Sequence, residues 1–141
     1  DRSDNPRALH LYAVRAAGAD VYIAGEQGLL LKLDRQTQRF RAIELPYHGT
    51  LFGVAGDGDA VTVFGLRGTA LRSSDGGASW RKLDTDIDVS LTSATNDGEG
   101  RQMLVSQTGQ VLRAALEPSS NGSEMTRSTR SMSSCETRPS G

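Results

Sequence analysis

Cysteine is almost missing from this chain. The single copy, Cys135, excludes an intrachain disulfide and any metal site built from several thiolates. Long apolar runs are missing as well: none approaches the about 18–20 residues of a membrane-spanning helix. Neither sign of charge dominates. Sixteen basic and 17 acidic residues leave a net charge of −1, which gives no electrostatic footprint for nucleic acid or for an anionic membrane surface. No segment sustains a helical period. The two histidines, His10 and His48, fall in different loops without His-x-x-x-His spacing, so they make neither a metal pair nor a nucleophile–base pair. No signal peptide is present, and the start at Asp1 fits a mature exported form, a cut chain or a fragment.

What is there is glycine and repetition. The 141 residues are enough for one ordinary domain, and 16 glycines beside 36 % hydrophobic residues suit a turn-rich β protein. A shift of 40 residues aligns Leu11 with Leu51, Tyr12 with Phe52, Val14 with Val54, Val21 with Val61 and Ile23 with Val63. The same register carries Gly25 onto Gly65, Gly28 onto Gly68, Leu31 onto Leu71, Phe40 onto Trp80 and Arg41 onto Arg81. A third copy follows, with Leu91 lying 40 beyond Leu51, and Leu104, Gly109 and Leu112 lying 41 beyond Val63, Gly68 and Leu71. One extra residue in the loop Asn96–Gly100 accounts for the change of register.

Each copy reads as short strands rich in Val, Leu, Ile and aromatics, separated by Gly/Asp/Asn turns. The first is predicted to hold Leu11–Ala16, Asp20–Ala24, Leu29–Leu33 and Arg39–Glu44. The second holds Leu51–Ala55, Ala60–Phe64, Thr69–Ser73 and Ser79–Leu83. The third shows three strands only, Ser90–Ala94, Arg101–Val105 and Gln110–Ala114. A repeat of about 40 residues with four strands is a propeller blade. The expectation is therefore an all-β partial β-propeller of about three four-stranded antiparallel blades, the last incomplete. A lead-in covers 1–10, the blades cover 11–117 (11–50, 51–89 and 90–117), and 118–141 is a Ser/Thr/Arg-rich tail too poor in apolar residues to fold. The favoured expectation is that the ordered chain stops near Glu117; the other reading is that a strand from elsewhere in the chain closes the third blade.

One stretch is more specific. Ser73-Ser74-Asp75-Gly76-Gly77-Ala78-Ser79-Trp80 has the form Ser-x-Asp-x-Gly-x-x-Trp. A short carboxylate such as Asp75 can accept hydrogen bonds from its own turn, glycines can take a positive φ, and Trp80 offers a large apolar surface as a strand resumes. The pattern resembles the Asp-box, or BNR repeat, found on the turn before the outermost strand of many propeller blades. Ser73, Asp75, Gly77 and Trp80 are thus expected to be structural, with Asp75 holding its own turn and not acting as a catalyst. The first copy has Leu33-Asp34-Arg35-Gln36-Thr37-Gln38-Arg39-Phe40 at this place, where the Ser and Gly of the pattern are missing. In the third copy the box is missing altogether.

The runs Ala24-Gly25-Glu26-Gln27-Gly28-Leu29-Leu30-Leu31-Lys32 and Phe64-Gly65-Leu66-Arg67-Gly68-Thr69-Ala70-Leu71-Arg72 share a Gly-x-x-Gly followed by an apolar strand. Over roughly Leu11–Leu116 the chain resembles the photosystem II assembly and stability factor family of Asp-box propellers and its bacterial relatives. That resemblance implies about seven blades, of which this chain supplies fewer than three. It also implies a non-catalytic protein-binding or assembly module, a partner that is a protein or a membrane-protein complex, and a location in a periplasm or other exported compartment. No cofactor, metal or membrane insertion is expected.

Strand order places Gln27, Tyr47, His48 and Arg67 on one face of the array, where Tyr47, His48 and Arg67 are expected as neighbours in an aromatic–polar partner surface. Two other readings stand beside this one. Sialidases also carry Asp-boxes, so the chain can be read as part of a glycoside hydrolase, with Arg15 and Arg67 the arginines nearest the inner strands, though neither lies in a sialidase motif. Or it is a truncated piece with open flanks and exposed strand edges. The Asp84–Asp88 and Gly56–Asp59 loops could offer hard oxygens to Ca²⁺, but the first lacks the glycine and terminal glutamate of an EF-hand, the second is an equally weak match, and both read as solvated turns.

Overall fold

The computed structural model describes residues 3–96, 101–114 and 126–127. Among these the chain forms three four-stranded antiparallel sheets laid side by side. The first sheet is β1 (Leu11–Ala17), β2 (Asp20–Gly25), β3 (Leu30–Asp34) and β4 (Arg39–Ala42), in chain order. The second is β5 (Leu51–Asp57), β6 (Ala60–Gly65), β7 (Ala70–Ser73) and β8 (Arg81–Lys82). The third is β9 (Leu91–Asn96), β10 (Gln102–Ser106), β11 (Val111–Ala114) and β12 (Thr126–Arg127). This is the up-and-down order of a propeller blade, made three times.

The repeat read from sequence is a repeat of hydrogen bonds. The inner strands β1 and β5 each carry a bulge, between Leu11 and Ala13 and between Leu51 and Gly53. The bulged residues Tyr12 and Phe52 bring their rings edge to face, with centroids 5.6 Å apart. The loop before each inner strand is tied to the next turn by one bond: Glu26 N–H to the His10 carbonyl (3.0 Å), Leu66 N–H to Thr50 (3.2 Å) and Gln107 N–H to Ser90 (2.8 Å). A second bond closes each turn: Gly25 N–H to Leu29 (2.9 Å), Gly65 N–H to Thr69 (3.0 Å) and Ser106 N–H to Gln110 (2.9 Å).

Two hydrophobic layers lie between the sheets. The first joins Tyr22, Ala24, Leu30 and Leu45 of the first repeat to Leu51, Val54, Val61, Val63 and Leu71 of the second. The second joins Ala55, Phe64, Ala70 and Leu83 to Leu91, Ala94, Leu104 and Leu112. Alternation along each strand gives every sheet two faces. In the second sheet one face takes the first sheet and the other takes the third. A polar bridge crosses the second layer, where buried Thr62 donates its hydroxyl to the Gln102 side-chain carbonyl and Gln102 Nε2 donates to the Ala55 carbonyl (3.3 Å).

The structure corrects several expected boundaries. Leu29 is not in a strand: its N–H closes a short 3₁₀ turn, Glu26–Gly28, by donating to the Glu26 carbonyl (3.0 Å). Leu66–Gly68 forms the same turn, closed by Thr69. The outer strand expected over Ser79–Leu83 shrinks to Arg81–Lys82 because Ser79 N–H is bonded within the preceding turn. The largest difference is in the third repeat. Its fourth strand, expected to be missing, is supplied by Thr126–Arg127, which pairs with Leu112 and Arg113. Those two residues belong to the stretch expected not to fold; a sheet edge offers its unpaired N–H and C=O groups to any nearby backbone, whatever the side chains. The remainder of the expected tail, 118–125 and 128–141, lies outside the described residues.

Candidate functional site

The Ser73–Trp80 turn is built from its own side chains. Ser73 Oγ donates to Asp75 Oδ1 (2.8 Å) and accepts from Gly77 N–H (2.8 Å) and Asp75 N–H (3.3 Å). Asp75 accepts from Ser79 N–H at Oδ1 (2.9 Å) and from Ser79 Oγ at Oδ2 (2.6 Å). Trp80 Nε1 donates to the Gly77 carbonyl (3.0 Å), and its ring packs on the layer between the first two sheets. These donors, the Ser79 hydroxyl first, then Ser79 N–H and the Ser73 hydroxyl, hold the Asp75 carboxyl down at about 2. Every acceptor direction used here points back into the turn.

The neighbouring sheet grips the same turn. Tyr22, fully buried in the first sheet, donates its hydroxyl to the Gly76 carbonyl (2.9 Å), and Lys32 Nζ donates to the same oxygen (2.8 Å). Lys32 also lies 3.5 Å from Asp20 and 5.8 Å from the centre of the Tyr22 ring. Burial, with the charges of Asp20, Asp59 and Asp75 nearby, raises the Tyr22 phenol to about 12. Neither Tyr22 nor Lys32 is marked by the sequence motif. The signal that could have found them is their place on β2 and β3, on strands that face the next repeat.

The first repeat has a lesser turn at the matching place. Asp34 Oδ1 accepts from Gln36 N–H (3.0 Å), and Asp34 Oδ2 lies 3.3 Å from Arg41 Nε. The Gln36 N–H, together with Thr37 and Arg41, lowers the Asp34 carboxyl.

At the opposite end of the sheets from these turns, two hollows open between a 3₁₀ turn and the linker to the next repeat. One, of about 220 Å³, is lined by Gln27, Gly28, Ile43, Glu44, Tyr47 and His48, with Arg7 and Leu9 at its side. The other, of about 410 Å³, is lined by Arg67, Gly68, Leu83, Asp84, Ile87 and Asp88, with Thr85 and Asp86 between. Adding 40 to Gln27, Gly28, Ile43, Glu44, Tyr47 and His48 gives the six residues first named for the larger hollow. They are one site made twice.

The backbone explains why the site recurs. Gln27 and Arg67 both take left-handed geometry (φ 57°, ψ 33° and φ 57°, ψ 35°) at the crest of the 3₁₀ turn. The next residue is a glycine against which the linker packs. A Cβ on Gly28 would stand 2.3 Å from the Tyr47 carbonyl oxygen, and one on Gly68 would stand 1.8 Å from that of Ile87. In the second copy Thr85 fastens the linker further, donating its hydroxyl to the Gly68 carbonyl (2.7 Å) and accepting from Ile87 N–H (3.3 Å).

The four face residues are therefore divided. Gln27, Tyr47 and His48 meet in one hollow, and Arg67 lies one repeat away among Asp84, Asp86 and Asp88 instead of beside Tyr47 and His48. His10 is mostly exposed and pairs with Glu26, its Nδ1 lying 2.8 Å from Glu26 Oε2. Arg15 reaches the Ala94 carbonyl (3.5 Å) across the inner strands and shares no hollow with Arg67. Among the described residues no group of three or more His, Cys, Asp or Glu side chains could hold a metal ion. Among them, too, no helix is long and apolar enough to cross a membrane.

No protein-family model matches the sequence, and no curated protein matches it. Solved structures do match. YCF48 from Cyanidioschyzon merolae superposes with a TM-score of 0.62 over 74 % of this chain at 20 % identity. This chain has the fold of a partial β-propeller, like that of YCF48. A structure of YCF48 bound to D1 peptide gives 0.61 over 74 % of the chain at 18 % identity. The chain spans about a third of these structures, 34 % and 36 % of their lengths. At such identities the likeness is one of fold: partial propeller, antiparallel blades, YCF48-like order.

Proposed function

We propose that this chain is a non-catalytic binding module that docks a protein segment across the face bearing the two hollows. The observation that carries the reading is the duplicated site itself. Two equivalent recesses with different linings, Gln27–Tyr47–His48 in one and Arg67 with Asp84–Asp88 in the other, offer an extended chain successive places to seat side chains. Tyrosine and arginine are favoured contact residues because each combines a large apolar body with a directional polar end. A propeller supplies the rigid backing that keeps such recesses at fixed spacing.

YCF48 has been seen with a D1 peptide, and that supports a peptide segment of a protein as the partner here; in this reading the partner belongs to a membrane-protein complex and is met in an exported compartment such as a periplasm. In this reading Ser73, Asp75, Gly77 and Trp80 form a structural Asp-box at the other end of the second blade and take no part in binding. The two structures compared above are YCF48 proteins and lend the glycoside hydrolase reading no support.

The test is fluorescence anisotropy with a labelled D1 peptide as probe, comparing the unaltered chain with a Tyr47→Ala/Arg67→Ala double variant. Saturable binding weakened by about tenfold or more in the double variant supports the reading. Equal affinity of the two proteins removes this face, and failure of the unaltered chain to bind removes the D1-like partner.

A further inference from the structure

Each repeat keeps one inner-strand residue out of its ladder. The bulges leave Tyr12, Phe52 and Thr92, the second residues of β1, β5 and β9, without a partner across the sheet. A bulge re-aims the side chain it carries. Neither Tyr12 nor Phe52 is part of the two hydrophobic layers. Phe52 is the more telling of the two. Its sheet packs on another sheet on each side, yet its ring stays half-buried, whereas Phe64 of the same sheet is 2 % exposed. Single exposed rings need no explanation. These two stand at equivalent places in adjacent repeats and meet edge to face, with 5.6 Å between centroids.

The pair lies at the end of the sheets that bears the two hollows. Leu11 and Leu51, the residues before the rings, pair with Gly25 and Gly65, which lead into the two 3₁₀ turns. The linker that walls the first hollow with Tyr47 and His48 runs on to Thr50. The Thr50 carbonyl accepts from Leu66 N–H (3.2 Å), one residue before Arg67 of the second hollow. Phe52 follows two residues after Thr50. The rings therefore stand at the inner-strand end of the linker that parts the two hollows.

We propose that Phe52, with Tyr12 beside it, receives an apolar side chain of the protein segment that fills the two hollows. The inference rests on the binding reading above and adds the chemistry of the segment: an apolar residue between the two that enter the hollows. Two rings inclined at 64° form a step, and an aliphatic or proline side chain set in that step touches both. Thr92, at the third bulge, offers no such surface. The apolar contact thus belongs to the two repeats whose turns line the hollows, and the bulges fix its place against them.

Fluorescence anisotropy with the labelled D1 peptide tests it, on a Tyr12→Thr/Phe52→Thr chain. Threonine is what the third repeat carries at the same bulge, so thermal melts should show the fold retained. If they do not, Phe52→Thr alone carries the comparison. Affinity is expected to fall by about tenfold or more. The apolar residues of the peptide are then changed to Ala one at a time. One change that weakens binding to the unaltered chain should have no further effect on the Thr-substituted chain, which a purely structural role for the rings would not produce. If every peptide change keeps its full effect there, the inference is overturned. If Tyr47→Ala/Arg67→Ala weakens binding and the Thr substitutions do not, the binding face stands and this inference alone falls. Failure of the unaltered chain to bind removes both readings. Self-association that the Thr substitutions abolish, with peptide binding unchanged, would set a second copy on the rings and overturn the proposal as well.

Discussion

Asp75 shows how a residue with catalytic chemistry can be fully committed to structure. Its two oxygens accept from Ser73 and Ser79, and those bonds are strongest when the carboxylate is charged. The folded-state carboxyl sits at about 2, below its ordinary 3.8. A depressed carboxyl contributes stability that is present above the unfolded value and is lost as pH falls through the folded one. The melting temperature of the unaltered chain should therefore exceed that of Asp75→Asn near neutral pH, and the gap should narrow between pH 3.8 and about 2. Thermal melts across that range measure it; a gap independent of pH would count against a charge-dependent turn. The Ser-x-Asp-x-Gly-x-x-Trp pattern made this residue visible because all the partners lie within eight positions. It could not reveal Tyr22 or Lys32, which reach Gly76 from 54 and 44 residues away. Tyr22→Phe removes one hydrogen bond across the sheets while keeping the packed ring, and should cost about 1 kcal/mol in denaturant titrations. The Tyr22 phenol, raised to about 12, adds stability that is complete below pH 10 and fades as pH rises through about 12. Tyr22→Phe should lose that alkaline limb, read by melts over the same interval.

At the scale of elements, the decisive pieces are the 3₁₀ turn and the linker packed on it. Gly68 combines φ 73° with a contact that a Cβ would close to 1.8 Å, whereas Gly58 has φ 67° and nothing within 4 Å. Gly58→Ala should cost about 1–2 kcal/mol from backbone conformation alone. Gly68→Ala should cost clearly more, because the Ile87 linker must also move, and it should disturb the larger hollow. Equilibrium unfolding of the two variants side by side separates the terms, and equal losses would show that the close approach carries no energy. The Gly-x-x-Gly spacing was legible in the sequence and marked both turns. That the middle residues Gln27 and Arg67 take a left-handed conformation was not legible, since neither residue type favours it. The geometry is imposed by the strand on one side and the linker on the other. The strands themselves were legible almost to the residue where apolar alternation was strong, as in Asp20–Gly25 and Ala60–Gly65. They were misjudged at the outer edge, where the two residues of β8 and the two of β12 pair by backbone and leave little pattern to read.

The whole molecule behaves as a short stack whose energy lies between neighbours. Positions equivalent in sequence are therefore unequal in energy according to whether a sheet covers them. Val54→Ala removes methyl groups from a sealed layer and should cost about 2 kcal/mol. Val14→Ala, one repeat earlier on a 64 %-exposed side chain, should stay within about 0.5 kcal/mol. Denaturant titration of both variants checks this, and a large loss at Val14 would mean that its face is already covered.

The sequence by itself determined the local grammar: a period of about 40 residues, strands of alternating apolar character, glycine turns, and one turn that closes on its own side chains. These are short-range matters, set by which φ a residue tolerates and which face of a strand it occupies. Tertiary structure alone decided which face of each sheet is covered, that Tyr22 and Lys32 clasp the next blade, and that Arg67 stands one repeat apart from Tyr47 and His48. It also decided that Thr126–Arg127 completes the third sheet. The physical reason is common to all four. Each depends on what stands opposite, and the hydrophobic layers and hydrogen bonds that bring residues opposite one another join positions far apart in the chain.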